Sequence, residues 1–339
     1  MIQTHAPIAA PQRVGDATAK GSVTGVQILA SVDGGAASDR PTYARKDQKV
    51  TLYALVRVGA AFYTDAPSPH LAGKAISAQP LAKAPSIDLA WQRIEPTTAN
   101  MSNTQSGSFK FEAIEYTTSA IAAANQPSIT ADVRPTLTTD HGDGIGTMRY
   151  QLVATQGDRV LASPGIDAKR GRGSGGLGDA VTRVTIRRDD SFLGYLTEMY
   201  GQPYIWASAG LSDGSHESEH LEGSDCADLM VYGARRMGKK VAYTWTGGLP
   251  NVTKLVAGSG TRGDDGIYRD KAGKPLPFTA VGDLVLFPRH VGALAEDRGT
   301  IGVLDDQDIM LHTLFDSPKE QAIADSGYAD TAVELRRWK

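Results

Sequence analysis

The first half of the chain is dominated by short runs in which hydrophobic and polar residues alternate. In residues 50–58, every second residue is apolar, and a period of two predicts a half-buried strand. Turn-rich pieces such as Asp33-Gly34-Gly35 separate this run from similar ones at 25–31, 86–94, 108–118, 129–134 and 147–154. Because no long helical pattern interrupts these runs, residues 23–163 predict an antiparallel β-sandwich, immunoglobulin-like in type.

The pattern changes to a helical period in the second half. Residues 191–200 predict a short helix, and from Cys226 small or apolar residues recur at spacings of three and four as far as Met237. Asp225 suits the N-cap of this second helix and Gly238 its end. Strand patterns follow at 283–287, 291–295 and 309–315. Helix first and antiparallel strands afterwards indicate an α+β domain over 189–339.

Two stretches follow neither period. Residues 1–22 predict a disordered leader, and they lack the basic start and apolar core of a signal peptide. Residues 164–188 begin with a Gly-rich, locally basic segment that predicts an exposed interdomain linker, followed by one connecting strand. We expect a periplasmic or extracellular protein whose signal is missing from this sequence, with a cytoplasmic protein as the alternative.

Composition narrows the choice of partner. The chain has 35 basic and 38 acidic residues, a net charge of −3, and no apolar run near the ~20 residues of a membrane span. No broad cationic surface is therefore expected, which disfavours nucleic acid as a partner. A single cysteine excludes an internal disulfide and a Cys-rich metal site, and we expect no metal or other cofactor.

That single cysteine, Cys226, lies where the second helix should begin. Unpaired backbone N–H groups and the positive end of the helix dipole favour a thiolate, and such thiols can have pKa values of roughly 3.5–7.5. The alternative is that Cys226 is a small buried hydrophobe. A catalytic role requires a histidine nearby in the fold.

Seven histidines are present. His5, His70 and His141 fall in the leader or the sandwich, and His216 and His220 fall in a polar loop. His290 and His312 instead open or interrupt apolar strands downstream of the cysteine. They are the better candidates for a base and for the group that orients it.

Five ordered pieces of the second half resemble the NlpC-type cysteine peptidases that cut bacterial cell-wall peptides. They are Gly201-Gln-Pro-Tyr-Ile-Trp206, Asp225-Cys226, Gly282-Asp-Leu-Val-Leu-Phe287, His290-Val-Gly-Ala-Leu294 and Leu311-His312-Thr313. The resemblance covers about 190–339 and implies a papain-like α+β core. It also implies that Cys226 is the nucleophile, His290 the general base and His312 the orienting third member.

The same resemblance implies substrate-binding roles for three further residues. Tyr204 would lie near the oxyanion and the substrate backbone, Asp225 would receive the free amine of a stem peptide, and Trp206 would line the cleft. The backbone N–H of Cys226 would meet the oxyanion. The predicted function is thiol-dependent cleavage of an amide, in a peptidoglycan stem peptide. Alternatives are an acyltransferase or amidase with another substrate, and a non-catalytic cell-envelope binding protein.

The sequence departs from the family pattern in three places. Ala227-Asp228 replace the usual Ser-Gly after the cysteine, and Ala207-Ser208 replace a glycine pair. His290 and His312 stand 22 positions apart, so an insertion at about 296–308 must loop out of their hairpin. Strict spacing back from His312 would select Thr300, which cannot act as a base, so His290 is retained.

Two other motifs offer metal sites. Residues 216–220 fit HExxH, the zinc-protease motif, but their polar flanks predict a solvated loop whose glutamates, with Glu222, would meet an amine-bearing substrate. Asp140 and Asp143, among glycines, faintly resemble a calcium loop without the EF-hand ligand spacing, and a tight turn is expected there.

Overall fold

The computed structural model describes residues 13–102, 113–138, 144–171, 175–206, 208 and 216–339. His5 and the turn at 140–144, apart from Gly144, lie outside these ranges. The chain is a multi-sheet, β-rich fold with 41% strand and 12% helix, which confirms the predicted predominance of short strands. Within the described ranges, no helix is long and apolar enough to cross a membrane.

The strands of the first half are, in chain order, β1 (Val23–Val32), β2 (Thr42–Arg45), β3 (Val50–Val58), β4 (Ala61–Tyr63), β5 (His70–Leu71), β6 (Lys74–Ala75), β7 (Asp88–Pro96), β8 (Asn100–Ser102), β9 (Tyr116–Ala120), β10 (Ser128–Thr130), β11 (Gly146–Gln156), β12 (Arg159–Ala162) and β13 (Thr182–Arg187). Those of the second half are β14 (Tyr204–Trp206), β15 (Thr253–Arg262), β16 (Tyr268–Arg269), β17 (Leu284–Leu286), β18 (Val291–Glu296), β19 (Ile309–His312), β20 (Lys319–Ala322) and β21 (Val333–Trp338). The α-helices are α1 (Phe192–Leu196), α2 (Cys226–Arg236) and α3 (Leu249–Val252), and short 3₁₀ turns occur at Leu81–Lys83, Thr197–Met199, Glu217–His220, Thr246–Gly248 and Ile323–Ser326.

Two sheets in the first half bury a common core. One has the order β1-β3-β10 with β4 also paired to β3, and the other has the order β2-β13-β11-β7-β9 with β12 paired to β11. Alternate residues of β3 (Leu52, Ala54, Val56) and of β11 (Met148, Tyr150, Leu152) join one hydrophobic cluster. The strand predicted at residues 50–58 therefore has the predicted ends, and the predicted face is buried. This face is buried because one side of each strand packs on the opposite sheet.

The second half contains a seven-stranded sheet of order β16-β15-β21-β17-β18-β19-β20. The sequence predicted β17, β18 and β19 but missed β15 and the C-terminal strand β21, which lies between β15 and β17. Most of β15 is exposed or half-buried, and its pairing with β21 shifts register at two places. In an exposed strand with bulges, apolar and polar residues do not alternate regularly. The sequence of β15 therefore did not predict a strand.

Helix α2 begins and ends as predicted. Gly238 has a φ of +86° and follows the last turn, where the N–H of Lys239 donates to the Ala234 carbonyl at 3.0 Å. Gly233 faces α1, and a Cβ there would lie 2.4 Å from Leu196 Cδ2, so the glycine permits the two helices to approach closely. Met237 is 45% exposed and does not extend the buried stripe.

The stretches expected to be disordered or exposed are packed where the structure describes them. The N–H of Val14 donates to the Ile87 carbonyl at 3.0 Å, so residues 13–22 are attached to the first half and are not a free leader. In the Gly-rich segment, Leu177 is buried and the Arg170 guanidinium donates to Glu222 at 2.6 Å. These contacts come from residues distant in sequence, which composition alone does not reveal.

The sheets of the two halves are connected through shared elements. Strand β13, whose place the sequence left open, pairs with β11 and in parallel with β2. Strand β14 pairs in parallel with β8, and one hydrophobic cluster contains both Trp91 and Leu229. The predicted insertion after β18 does loop out between β18 and β19, although its Leu304 is fully buried.

Candidate active site

The first turn of α2 is fastened to strand β14. The Asp225 carboxylate caps the helix, with Oδ1 accepting hydrogen bonds from the amides of Ala227 and Asp228, both at 2.9 Å. The N–H of Ile205 donates to the Ser224 carbonyl at 3.1 Å. A Cβ on Gly223 would lie 2.6 Å from Ile205 Cδ1, so only glycine permits this close approach. The cap and the strand together determine where Cys226 lies.

The Cys226 thiol points towards strand β18. The backbone amide of Val291 acts on the thiol to lower its pKa, which indicates that residue 291 lies beside the sulfur, and Val291 directly follows His290. Residue 226 is 8% exposed, so it is largely covered by neighbouring residues. The fold therefore brings the helix start and the predicted base together, although they are 64 residues apart in sequence.

His290, directly before β18, and His312, at the end of β19, form a buried pair. His290 Nε2 lies 2.7 Å from His312 Nδ1, and both residues are almost fully inaccessible. Among the described residues, His290 Nδ1 and His312 Nε2 have no hydrogen-bond partner. If His290 Nδ1 is to accept a proton from the thiol, Nε2 must carry the hydrogen and donate it to His312. The pair can thus hold His290 in the tautomer that a base requires.

Burial gives the thiol and the imidazoles uncharged resting forms. Burial, followed by the nearby Asp225 carboxylate, raises the pKa of Cys226, and the N–H of Val291 opposes this shift. Burial lowers the pKa of His290 to about 3, and burial together with His290 and Lys319 lowers that of His312. The prediction of a lowered thiol pKa is therefore wrong for this closed site, since desolvation outweighs the helix dipole.

The three residues predicted to bind substrate differ in how deeply they are buried. Tyr204 is buried, and burial followed by the neighbouring thiol raises the pKa of its phenol, so the hydroxyl keeps its proton at neutral pH. Asp225 is half-buried and its Oδ1 is used by the helix cap. Trp206 lies two residues beyond Tyr204 on β14 and is 47% exposed. Alternate residues of a strand share a face, so Tyr204 and Trp206 lie on the same side.

Sequence reasoning missed the aromatic residues around the imidazole and the tyrosine. The Tyr328 ring stacks on His290 with centroids 4.8 Å apart, and Phe287 lies on His290 at 5.9 Å. Phe315 meets the Tyr204 ring edge to face at 5.3 Å. Phe287 ends one of the pieces that resemble the peptidase family, but nothing in the spacing of Tyr328 or Phe315 indicates that they are neighbours of the site.

The HExxH segment does not form the helix that a zinc site requires. Residues Glu217–His220 are a 3₁₀ turn, with His216 as the residue before it. His216 stacks on Tyr243 at 3.7 Å, with Nε2 3.5 Å from the Asp228 carboxylate. The prediction of a solvated loop is also wrong, because His216, Glu217 and Glu222 are buried. Apolar flanks were absent from the sequence, and the partners come from other elements.

Glu219, in this segment, and the nearby Glu222 each pair with an arginine. Glu219 accepts from Arg235 at 2.5 Å and from the Tyr243 hydroxyl at 3.0 Å. Glu222 accepts from Arg170 at 2.6 Å. Glu222 is buried beside Arg170, so the expectation that it meets an amine of the substrate is wrong. Glu219 is half-buried, and for it that expectation stays a prediction.

The departure at Asp228 has a local explanation. The Ser208 hydroxyl donates to the Asp228 carboxyl at 2.5 Å, and the same hydroxyl accepts from the Asp225 amide at 3.3 Å. Burial, followed by Asp225, raises the pKa of Asp228. Ser208 and Asp228 are thus hydrogen-bonded to each other beside the helix start.

Among the described residues, no group of three or more His, Cys, Asp or Glu side chains is arranged to hold a metal ion. No protein-family model, no curated protein and no solved structure matches this chain.

Proposed function

We propose that the protein is a thiol-dependent hydrolase that cleaves an amide bond in a cell-wall stem peptide. One observation carries the proposal: Cys226 lies beside Val291, and the preceding residue, His290, forms a 2.7 Å hydrogen bond with His312 that leaves His290 Nδ1 without a partner among the described residues. A sulfur nucleophile, a base and a group that orients the base are the parts that acyl transfer requires.

The first step transfers the thiol proton from Cys226 to His290 Nδ1 as the sulfur attacks the carbonyl carbon of the amide. The imidazolium of His290 stays aligned because Nε2–H donates to His312 Nδ1. It then returns the proton to the leaving amine, which leaves a thioester on the sulfur. In the second step, water attacks the thioester with His290 as the base, and the free thiol is restored.

The negative oxygen of the tetrahedral intermediate would be met by proton donors at the helix start. The backbone N–H of Cys226 is one, and the phenol of Tyr204, which stays protonated because its pKa is raised, is the other. Trp206 presents an exposed ring on the same face of β14 and would contact the peptide beyond the scissile bond. The half-buried Asp225 carboxylate would attract the stem-peptide amine.

The arrangement supports, as part of the same proposal, a papain-like α+β domain over 189–339 and an immunoglobulin-like sandwich before it. Helix α2 carries the thiol, His290 directly precedes β18, and His312 is the last residue of the antiparallel strand β19. A cell-wall substrate places the protein in the periplasm or outside the cell.

Digestion of purified peptidoglycan, with mass spectrometry of the released fragments, tests the proposal. We expect the unmodified protein to release peptides cut at one kind of amide bond. Cys226→Ala and His290→Ala should release none while keeping the circular dichroism spectrum of the fold. His70→Ala, which alters a half-buried histidine of the first half, is the matched control. Undiminished cleavage by Cys226→Ala would overturn the thiol mechanism.

The low exposure of the thiol favours a second candidate, acyl transfer to an amine. A thioester that is shielded from water persists long enough for another nucleophile to reach it. Adding glycine amide to the digestion separates the two outcomes, because transfer adds its mass to the fragments and hydrolysis adds water. A protein that binds the peptides but changes none of them would instead be a non-catalytic binding protein.

A further inference from the structure

A cavity lies on the outer face of the first sheet, in the half of the chain that does not carry the thiol. Its volume is about 150 Å³, comparable to the apolar cavities that hold benzene. The described residues that line it are Gly25, Val26, Gln27, Leu55, Arg57, Phe62 and Leu71. Six of these come from three adjacent strands, β1, β3 and β4, and Leu71 comes from β5.

Strand register explains how the cavity is built. Gly25 lies opposite Arg57, and Gln27 lies opposite Leu55, while Phe62 lies opposite Arg57 on the other side. Leu55 and Leu71 belong to a small apolar cluster that is separate from the main core. The sheet face thus provides an apolar wall, and the missing side chain of Gly25 leaves space beside Arg57.

Gln27 supplies an unused hydrogen-bond acceptor. Its Oε1 is buried and has no hydrogen-bond partner among the described residues. A buried carbonyl oxygen without a donor costs stability, so a bound N–H group would restore what folding lost.

Arg57 supplies the charge. Its side chain is exposed, and its Nε lies 3.7 Å from the point that a Cβ on Gly25 would occupy. Among the described lining residues it is the only charged one. A guanidinium beside an apolar cavity, with no acidic residue in the lining, is suited to a carboxylate.

We propose that this cavity binds an N-acyl α-amino acid with an apolar side chain, as found at the carboxyl terminus of a peptide. Its carboxylate would accept from Arg57, its amide N–H would donate to Gln27 Oε1, and its side chain would lie against Leu55, Phe62 and Leu71. Both polar groups are attached to one Cα in such a ligand, which matches two polar residues that line one small cavity. The site is independent of the thiol chemistry.

Calorimetric titration of the full-length Cys226→Ala protein tests the site without consuming a ligand. The probe is N-acetylleucine, which we expect to bind. N-acetylleucine amide lacks the carboxylate and should bind at least tenfold more weakly. Arg57→Met should produce a similar loss of about tenfold, since hydrogen bonds to charged groups are among the stronger ones. Arg159→Met, which removes an exposed cation from β12, should leave the affinity unchanged.

The Gln27 contact has its own test. Gln27→Leu should weaken N-acetylleucine by about threefold to tenfold and should not weaken N-acetyl-N-methylleucine, which has no N–H to donate. A merely structural role for Gln27 would alter thermal stability without this ligand-dependent difference.

A comparison of ligands identifies the source of the amino acid. A tripeptide ending in leucine that binds more tightly than N-acetylleucine points to peptide chains, and equal affinity points to free acylated amino acids. Absence of binding by N-acetylleucine at about 10 mM, where even a weak site of millimolar Kd would be filled, overturns the proposal. Equal binding by the Arg57→Met protein also overturns it. Neither result affects the thiol hypothesis, which is tested by cleavage.

Discussion

His290 and His312 share a 2.7 Å hydrogen bond inside the protein, with Nε2 of the first facing Nδ1 of the second. Strands β18 and β19 pair antiparallel beside them, and β19 pairs on its other side with β20. The backbone of the sheet, and not the side chains alone, therefore sets the direction of the His290 ring.

Replacing His312 should lower the rate according to the hydrogen bond that remains. Asparagine can still accept from His290 Nε2–H, so His312→Asn should keep more activity than His312→Leu. We expect a loss of about tenfold for asparagine and about 10²–10⁴-fold for leucine, the range typical of general-base catalysis. Measurement of kcat/KM for amide cleavage checks the order. Equal activity of the two variants would show that His312 does not orient the base.

The thiol should be protonated at neutral pH. Burial and Asp225 raise the pKa of Cys226 above its ordinary value, and burial keeps His290 neutral down to a pH of about 3. The thiolate absorbance near 240 nm, measured as the difference from Cys226→Ser, should therefore be absent at pH 7 and rise only at a pH above ~8.5, the ordinary thiol value. A full thiolate signal at pH 7 would instead indicate a resting ion pair with His290.

Gly292 should be intolerant of a side chain. A Cβ there would lie 2.8 Å from Met310 Sδ and 3.2 Å from His312 Cβ, on the strand that carries the third member of the site. Gly292→Ala should cost about 1–3 kcal/mol of unfolding free energy, as overpacking does, and should reduce cleavage because His312 must shift. Urea unfolding and kcat/KM measure the two effects.

Gly258→Ala is the control for this substitution, because a Cβ at that position meets nothing within 4 Å. It should leave cleavage unchanged. Full activity and stability in the Gly292→Ala protein would show that the strands adjust without moving the imidazole.

Glu217 should make the fold less stable at alkaline pH. Burial, followed by Glu222, raises its pKa from 4.5 to about 8, so the folded state holds a proton that the unfolded state releases above pH 4.5. The stability that this proton provides is complete below pH 4.5 and is lost as the pH rises through 8. Glu217→Gln mimics the protonated carboxyl and should be more stable at pH 9 by about 2 kcal/mol or more.

Thermal or urea unfolding at pH 4, 7 and 9 measures this dependence. Glu296→Gln is the control, because Glu296 is exposed and paired with Arg298. The idea fails if the two variants show the same change between pH 7 and pH 9.

Some strands and one helix were predictable because their signal is local. Residues 50–58 alternate, and the structure buries one face of that strand. The cap at Asp225 and the stop at Gly238 are also local, since each depends on residues within one helical turn. Strand β21 was missed because only its long-range pairing with β15 and β17 identifies it.

In the candidate active site too, local features were predictable and long-range contacts were not. The sequence selected Cys226, His290 and His312 as candidates from their positions relative to a helix start and two apolar strands. It did not reveal the stacking of Tyr328 on His290 or the pairing of Ser208 with Asp228. It also suggested a low thiol pKa, because it showed the helix dipole and not the depth of burial.

Local pattern alone determined the period of the main strands, the ends of helix α2 and the choice of a lone cysteine with two late histidines. Tertiary structure decided which residues meet: Val291 beside Cys226 and the two imidazoles at 2.7 Å from each other. It also decided the burial of His216 and Glu217 in the HExxH segment. The physical reason is the sequence separation of the residues that produce each effect. Periodicity and capping depend on neighbours a few residues apart, whereas desolvation and hydrogen-bond partners depend on the packing of the whole chain.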